Sequence, residues 1–212
     1  MHYLTKLFVN TLIIASLGCL VIGCQELYIA VTNQTPVEIS CYDFLEKNIE
    51  SKWLKLNQCY LDNENVVAIF TKGKNITEGS DFFVPVHPII SSKESVIRIF
   101  LKVNSLERKE IFSNFFNLQK NEDSISNYFA KHKNEYAFFT NKNAISVTGK
   151  VLIGTQLSGD TRDLLKKGNN ISNDFIVIAE NEEPSLLFSL YWIVGGLFLA
   201  GLFVWWSPLS ED

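Results

Sequence analysis

The chain is poor in the residues that most protein chemistry depends on. Its 212 residues include four cysteines, three histidines and one methionine, and neither glycine nor proline is in excess. The absence of Gly or Pro excess excludes a collagen-like repeat and a low-complexity linker. No Gly-rich phosphate loop, Gly-x-Ser-x-Gly elbow or His-Glu-x-x-His helix is present, and Cys41 and Cys59 lack the CxxC spacing of a zinc site. The nucleotide, hydrolase and metalloprotease signatures therefore give no lead, and no metal or cofactor is expected. Positive charge is not clustered either: the net charge is −4, without runs of Lys and Arg. Counterion release from nucleic acid needs clustered cations, so no nucleic-acid partner is expected.

What the chain does have is hydrophobicity, 47% of its residues, concentrated at its two ends. Leu186 to Trp206 is 21 residues without a charge, and at ~1.5 Å rise per residue it reaches ~31 Å, the thickness of a hydrocarbon core. Tyr191-Trp192 and Trp205-Trp206 lie near its ends, where amphipathic rings favour the headgroup layer. This segment reads as a transmembrane helix.

The first apolar segment, Leu7 to Cys24, also lacks charge but is shorter and contains Asn10 and Thr11. Its end, Val21-Ile22-Gly23-Cys24, resembles a bacterial lipobox, which implies lipidation of Cys24 after cleavage. It departs from that pattern by a Val where Leu is usual and by a single preceding Lys6. The other reading, preferred here, is an uncleaved anchor helix running on through Leu27 to Val31, because a spanning C-terminal helix makes an acyl anchor redundant. Small residues recur at four-residue spacing as Ala15, Cys19 and Gly23 and as Gly196 and Ala200. Such ridges let helix backbones approach in lipid, so the two helices are expected to pair.

The organisation expected is an anchor over 1–31, one domain over 32–183, a transmembrane helix over 184–206 and a short acidic tail over 207–212. Within the domain, Ser40 to Asp43 reads as a capping box opening a helix to about Glu50. The runs KWLKLNQCYL, NVVAIF, DFFVPVHPII and SVIRIFLKV follow, each of strand length and separated by turn signals. In the last run Ile97, Ile99, Leu101 and Val103 alternate with Arg98 and Lys102, the period of a half-buried strand. Asn104 with Glu107 is expected to cap a helix whose apolar face is Ile111, Phe112, Phe115, Phe116 and Leu118. A second helix carries Ile125, Tyr128 and Phe129. Strand character returns at Ala144–Gly154, with Lys150 on its polar face, then a short helix from Asp160 to Lys167 and a last strand from Asp174 to Glu180. Short strands with helices between them indicate an α+β fold with a mostly antiparallel sheet, closing as a small OB-like barrel with inserted helices.

The stretches KWLKLNQCYLD, FFVPVHP and SGDTRDLLKKGNNISNDFIVIAENEEPSLL, the last running into the terminal apolar helix, are similar to bacterial two-helix membrane proteins of uncharacterised function. The resemblance covers most of the chain between the helices and carries no catalytic residues, so it implies a layout and no activity. One domain between two spans also resembles the membrane-adjacent part of mitochondrial membrane ubiquitin ligases, but no RING cysteines follow the second helix here.

Candidate sites are few. His87, between Pro85 and Pro88, is the one histidine placed to act as a general base; the plainer reading is a loop histidine with no role. Eight aromatics fall between Phe112 and Phe139. They read either as a core packed on the sheet or as a surface that docks a partner, with Phe100, Phe112, Phe115, Phe116 and Phe129 the candidates. Phe100 is the oddest, sharing a strand face with Arg98 and Lys102. Cys41 and Cys59, alone in the domain, are a candidate disulfide. The expected function is a non-enzymatic, membrane-anchored interaction or assembly module of the cell envelope, contacting the lipid bilayer and either an envelope protein or a second copy of itself. The alternative is a membrane enzyme with chemistry near His87. Lys6 before the first span and Gln25-Glu26 after it suggest a domain outside the cytoplasm, and the resemblance to bacterial membrane proteins implies the bacterial inner membrane.

Overall fold

A computed structural model describes residues 2–47, 49–70, 80–89, 96–118, 127, 129–130, 132–152, 156–168 and 170–206. In chain order the elements are α1 (His2–Thr32), β1 (Val37–Ser40), α2 (Cys41–Glu46), β2 (Trp53–Leu61), a 3-10 turn (Asn63–Asn65), β3 (Val67–Phe70), β4 (Ser80–Pro88), β5 (Ile97–Lys102), α3 (Leu106–Leu118), α4 (Lys133–Thr140), β6 (Ile145–Leu152), α5 (Gly159–Lys166), β7 (Ile171–Glu180) and α6 (Leu186–Trp206). They form two compact units: Pro36–Glu183, and the terminal segments Met1–Thr35 with Pro184–Asp212.

In the first unit β2, β6, β7, β5 and β4 pair in that order, and β4 pairs back to β2, closing a five-stranded barrel of the OB type expected from the sequence. β1 and β3 extend the sheet at its two ends. The sheet is mostly antiparallel, with β1–β2 and β5–β7 parallel. Alternation fills the barrel interior with Leu54, Leu56, Phe82, Val84, Val86, Ile99 and Leu101. Strand β2 keeps this up through a bulge between Leu56 and Cys59, where Gln58 takes a positive φ of 56°. Without the extra residue, strict period two would turn polar Gln58 inward; with it, Cys59 and Leu61 are buried and Gln58 is exposed.

A second apolar cluster lies outside the barrel. Phe83, Phe100, Phe175 and Val177 pack there with Leu157 and with Leu165 of α5. Ile97 joins this cluster rather than the inward row that alternation assigned to it, because the β5–β7 register shifts between Ile97 and Ile99. Helix α2 begins as the sequence suggests: the Ser40 hydroxyl accepts from the Asp43 amide at 3.0 Å and lies 2.7 Å from its carboxylate. It ends sooner, at Glu46.

The start of α3 corrects the expected cap. Asn104 does not turn its side chain onto the helix; its Nδ2 donates to the Glu180 carbonyl (3.0 Å) and to Glu182 Oε1 (2.9 Å). The backbone amides of Asn104 and Ser105 instead both donate to Glu180 Oε2 at 3.0 Å, and Arg108 holds Oε1 at 2.8 Å. A buried carboxylate from β7 thus takes the Asn104 amide that Glu107 was expected to serve, together with the Ser105 amide just before the first turn. Lys150, read as a solvent-facing residue, is also buried, at 7% exposure. Strand β1 and helix α4 were not anticipated, and β7 starts at Ile171 rather than Asp174. Ile125, Tyr128, Ile153 and Gly154 lie outside the described residues.

In the second unit α1 and α6 pack antiparallel, and both are long and apolar enough to cross a membrane. The contact depends on two glycines. A Cβ on Gly23 would sit 2.7 Å from Ile193 Cγ1, and one on Gly196 would sit 2.8 Å from Leu20 Cγ. Beside them the buried Ser16 hydroxyl donates to the Gly196 carbonyl at 2.8 Å.

Candidate functional site

His87 is not in a loop. It lies in β4 opposite Tyr60 of β2, at the seam that closes the barrel. Pro85 marks the point where β4 changes partner from β5 to β2, a place where a missing amide donor is tolerated. The imidazole stacks on Tyr60 with ring centres 5.3 Å apart, and its Nε2 is 3.8 Å from Asp62 Oδ2. Lys142 Nζ lies 5.8 Å over the same tyrosine ring. Burial pushes the His87 pKa below its ordinary value; the Asp62 carboxylate opposes this and Lys142 adds to it. The result is a neutral ring at neutral pH, with an acid beside it and 7% of its surface exposed. Chemically it can accept a proton. Its packing between Tyr60 and Asp62 also makes it a side-chain clasp across the β2–β4 seam.

The aromatic segment divides between core and surface. Phe112 is fully buried against Phe82 at 5.6 Å, and Phe139 is 5% exposed. Phe115, Phe116, Phe129 and Phe138 are half-buried, joined by Phe115–Phe139 at 4.7 Å and Phe82–Phe116 at 6.0 Å. The rings therefore seat α3 and α4 on the barrel. Outside them lie Phe70, which meets Phe116 edge-on at 6.1 Å and is 50% exposed, and Tyr136, which is 54% exposed and meets Phe129 at 5.4 Å. Sequence reading missed Phe70 because it sits on a strand remote in the chain. Phe100 and Phe112 have no exposed surface, so neither can contact a partner; the exposed and half-buried rings here are Phe115, Phe116, Phe129 and Phe138 with Phe70 and Tyr136.

Phe100 is covered by α5, not by the aromatic helices: it meets Phe175 edge-on at 5.4 Å, under the buried Leu165. Arg162 of α5 lies 5.0 Å over the Phe175 ring. This outer face spans β4 and β5, the strands that OB barrels commonly present to oligonucleotides and oligosaccharides. Here it is the floor of a second core.

Two grooves flank these elements. One of about 430 Å³ runs between α3 and α4, edged by Glu107, Glu110 and Glu135 above Ile111 and Phe138. The other, of about 440 Å³, lies between α2 and the β5–β7 edge, where Arg98 donates to the Leu45 carbonyl (3.1 Å) and pairs with Asp174 (3.2 Å). Neither contains His87. Among the described residues no group of three or more His, Cys, Asp and Glu is arranged to hold a metal ion.

On the helix pair, Gly23 and Gly196 are buried in the contact, whereas Ala15 is exposed and Cys19 and Ala200 are half-buried. The inward ridge of α1 runs through Ser16, Leu20 and Gly23 instead of Ala15, Cys19 and Gly23. A serine hydroxyl in apolar surroundings needs an acceptor, and facing α6 supplies one. Cys24 is exposed on a helix that continues unbroken to Thr32. Cys41 and Cys59 are free thiols, both fully buried.

The chain matches no family model, no curated protein and no solved structure.

Proposed function

We propose that this chain is a non-enzymatic, membrane-anchored interaction or assembly module of a bacterial cell envelope, with its barrel domain outside the cytoplasm and α1 and α6 crossing the inner membrane. The observation that carries the reading is the antiparallel α1–α6 pair at the two ends of one folded domain, each helix apolar over a membrane's thickness. Cleavage before Cys24 would remove Ser16, Leu20 and Gly23, the surface on which α6 packs. That favours a retained anchor over lipidation, and an intact-mass measurement that finds residues preceding Cys24 supports it.

The surface offered to a partner is the aromatic one, Phe70, Phe116, Phe129 and Tyr136, because exposed rings beside half-buried ones form the apolar centre that protein interfaces use. The test is purification of the full chain from gently solubilised, cross-linked membranes. The reading expects a defined partner or oligomer, weakened at least tenfold by Phe70→Ser with Tyr136→Ser. Recovery of a monomer alone, unchanged by those substitutions, counts against it.

The buried His87, beside Asp62, favours a second reading as a membrane enzyme. If His87→Ala abolishes a cellular phenotype while folding and partner recovery persist, the enzyme reading gains.

A further inference from the structure

Cys41 is the first residue of α2, and Cys59 follows the Gln58 bulge in β2. They are the only cysteines of the barrel domain, Cys19 and Cys24 being on α1. Neither has any exposed surface. Ser40 pairs with Asn57 in the parallel β1–β2 register, so Cys41 and Cys59 lie one and two residues beyond that pair and share one apolar cluster, and the Cys59 thiol donates to the Asn57 carbonyl at 3.6 Å. The bulge makes this meeting, since an unbroken strand would turn Cys59 to the opposite face from Leu56. Cys41 is the one buried side chain of the six-residue α2, whose Phe44 and Leu45 are half-buried against the same cluster, so the pair is reached through local opening of α2.

We propose that Cys41 and Cys59 are a redox pair that closes to an intramolecular disulfide by exchange with a disulfide-bearing oxidoreductase. During opening of α2 one of the two thiols loses its proton, attacks a sulfur of the incoming disulfide and expels the other sulfur. The second cysteine, deprotonated in turn, attacks the mixed disulfide and displaces the first sulfur of the oxidant. One S–S bond forms in this chain and one is broken in the oxidant, which leaves as two thiols carrying the protons of Cys41 and Cys59. The neighbouring Cys41 thiol and burial push the Cys59 pKa up, so the closed helix protects the reduced pair and reaction waits on opening.

The experiment uses the full chain with Cys19→Ser and Cys24→Ser, in detergent, incubated with oxidised glutathione, quenched in acid, denatured and alkylated. The expected result is loss of both free thiols, a peptide pair joined through Cys41 and Cys59, and a denaturation midpoint raised by roughly 6–12 °C, reversed by a dithiol reductant. Neither Cys41→Ser nor Cys59→Ser in that background should show the rise. Alkylation of both thiols after oxidation overturns the proposal, as does glutathione left on each cysteine without a bond between them; neither result depends on the variants folding. The state of the pair in cells rests on the extracytoplasmic reading above. Closure in vitro together with free thiols trapped from cells supports the pair and contradicts that compartment.

Discussion

In the barrel domain the core is filled by large rings: Phe82 on Phe112, Phe112 on Phe139 at 5.8 Å, Phe100 on Phe175. In the helix pair the contact is made by residues with almost no side chain, Gly23 against Ile193 and Gly196 against Leu20, joined by the Ser16 hydroxyl. The difference is the one expected of a domain in water and, as proposed above, a helix pair in lipid. Water drives apolar area out of contact with itself, so the domain gains by burying bulk. A helix pair in lipid gains nothing that way and depends on close approach and hydrogen bonds.

The comparison predicts opposite outcomes for opposite changes of size. Phe112→Ala should cost the domain about 3–5 kcal/mol, measured as the shift in chemical denaturation midpoint, because a wholly buried ring leaves a cavity among Phe82, Phe138 and Phe139. A cost under about 1 kcal/mol would mean that the rings of α3 are not core. Glu180→Gln should cost about 2 kcal/mol in the same assay, since Arg108 loses its charged partner and two amides lose a strong acceptor. On the helix pair, enlargement rather than truncation does the damage. Gly196→Leu should abolish intramolecular cross-linking between α1 and α6, whereas Ser16→Ala should cost only about 0.6 kcal/mol and leave most of it. Equal tolerance of Gly196→Leu and Leu197→Ala, the latter on an exposed position, would remove the distinction between the two kinds of packing.

The smallest effect expected is at His87. Its pKa is depressed in the folded chain, so the unfolded chain binds more protons as pH falls through the ordinary imidazole range. Stability present above that range is lost as pH drops toward the depressed folded value. The denaturation midpoint should therefore fall between about pH 7.5 and about pH 5.5, and His87→Gln should flatten that part of the curve. An unchanged slope would show that other groups carry it.

The strands themselves were legible from runs of strand length. The runs over β2, β4, β5 and β6, with helices inserted before β6, sufficed for a barrel of OB type. What was not legible depended on contacts far apart in sequence. Asn104 looked like a helix cap because a local pattern allows it, but Glu180 is placed beside it only by the parallel β5–β7 pairing. Ile97 and Cys59 both sit next to register shifts, and a bulge moves a side chain to the other face without leaving a mark in composition. On α1 the spacing of Ala15, Cys19 and Gly23 suggested a ridge. Its true line was set by Ser16, whose hydroxyl needs the Gly196 carbonyl. The two prolines flanking His87 suggest a loop, but β4 accommodates Pro85 at its exchange of partners and Pro88 at its end.

The proposed function requires the domain to lie outside the cytoplasm between two spans. Asn173, exposed on β7, is the position to probe. Asn173→Cys, in a chain with Cys24→Ser, is treated with a membrane-impermeant maleimide in intact spheroplasts and again after lysis. Labelling of position 173 that is as complete before lysis as after it is the predicted result, and labelling that appears only after lysis contradicts the account.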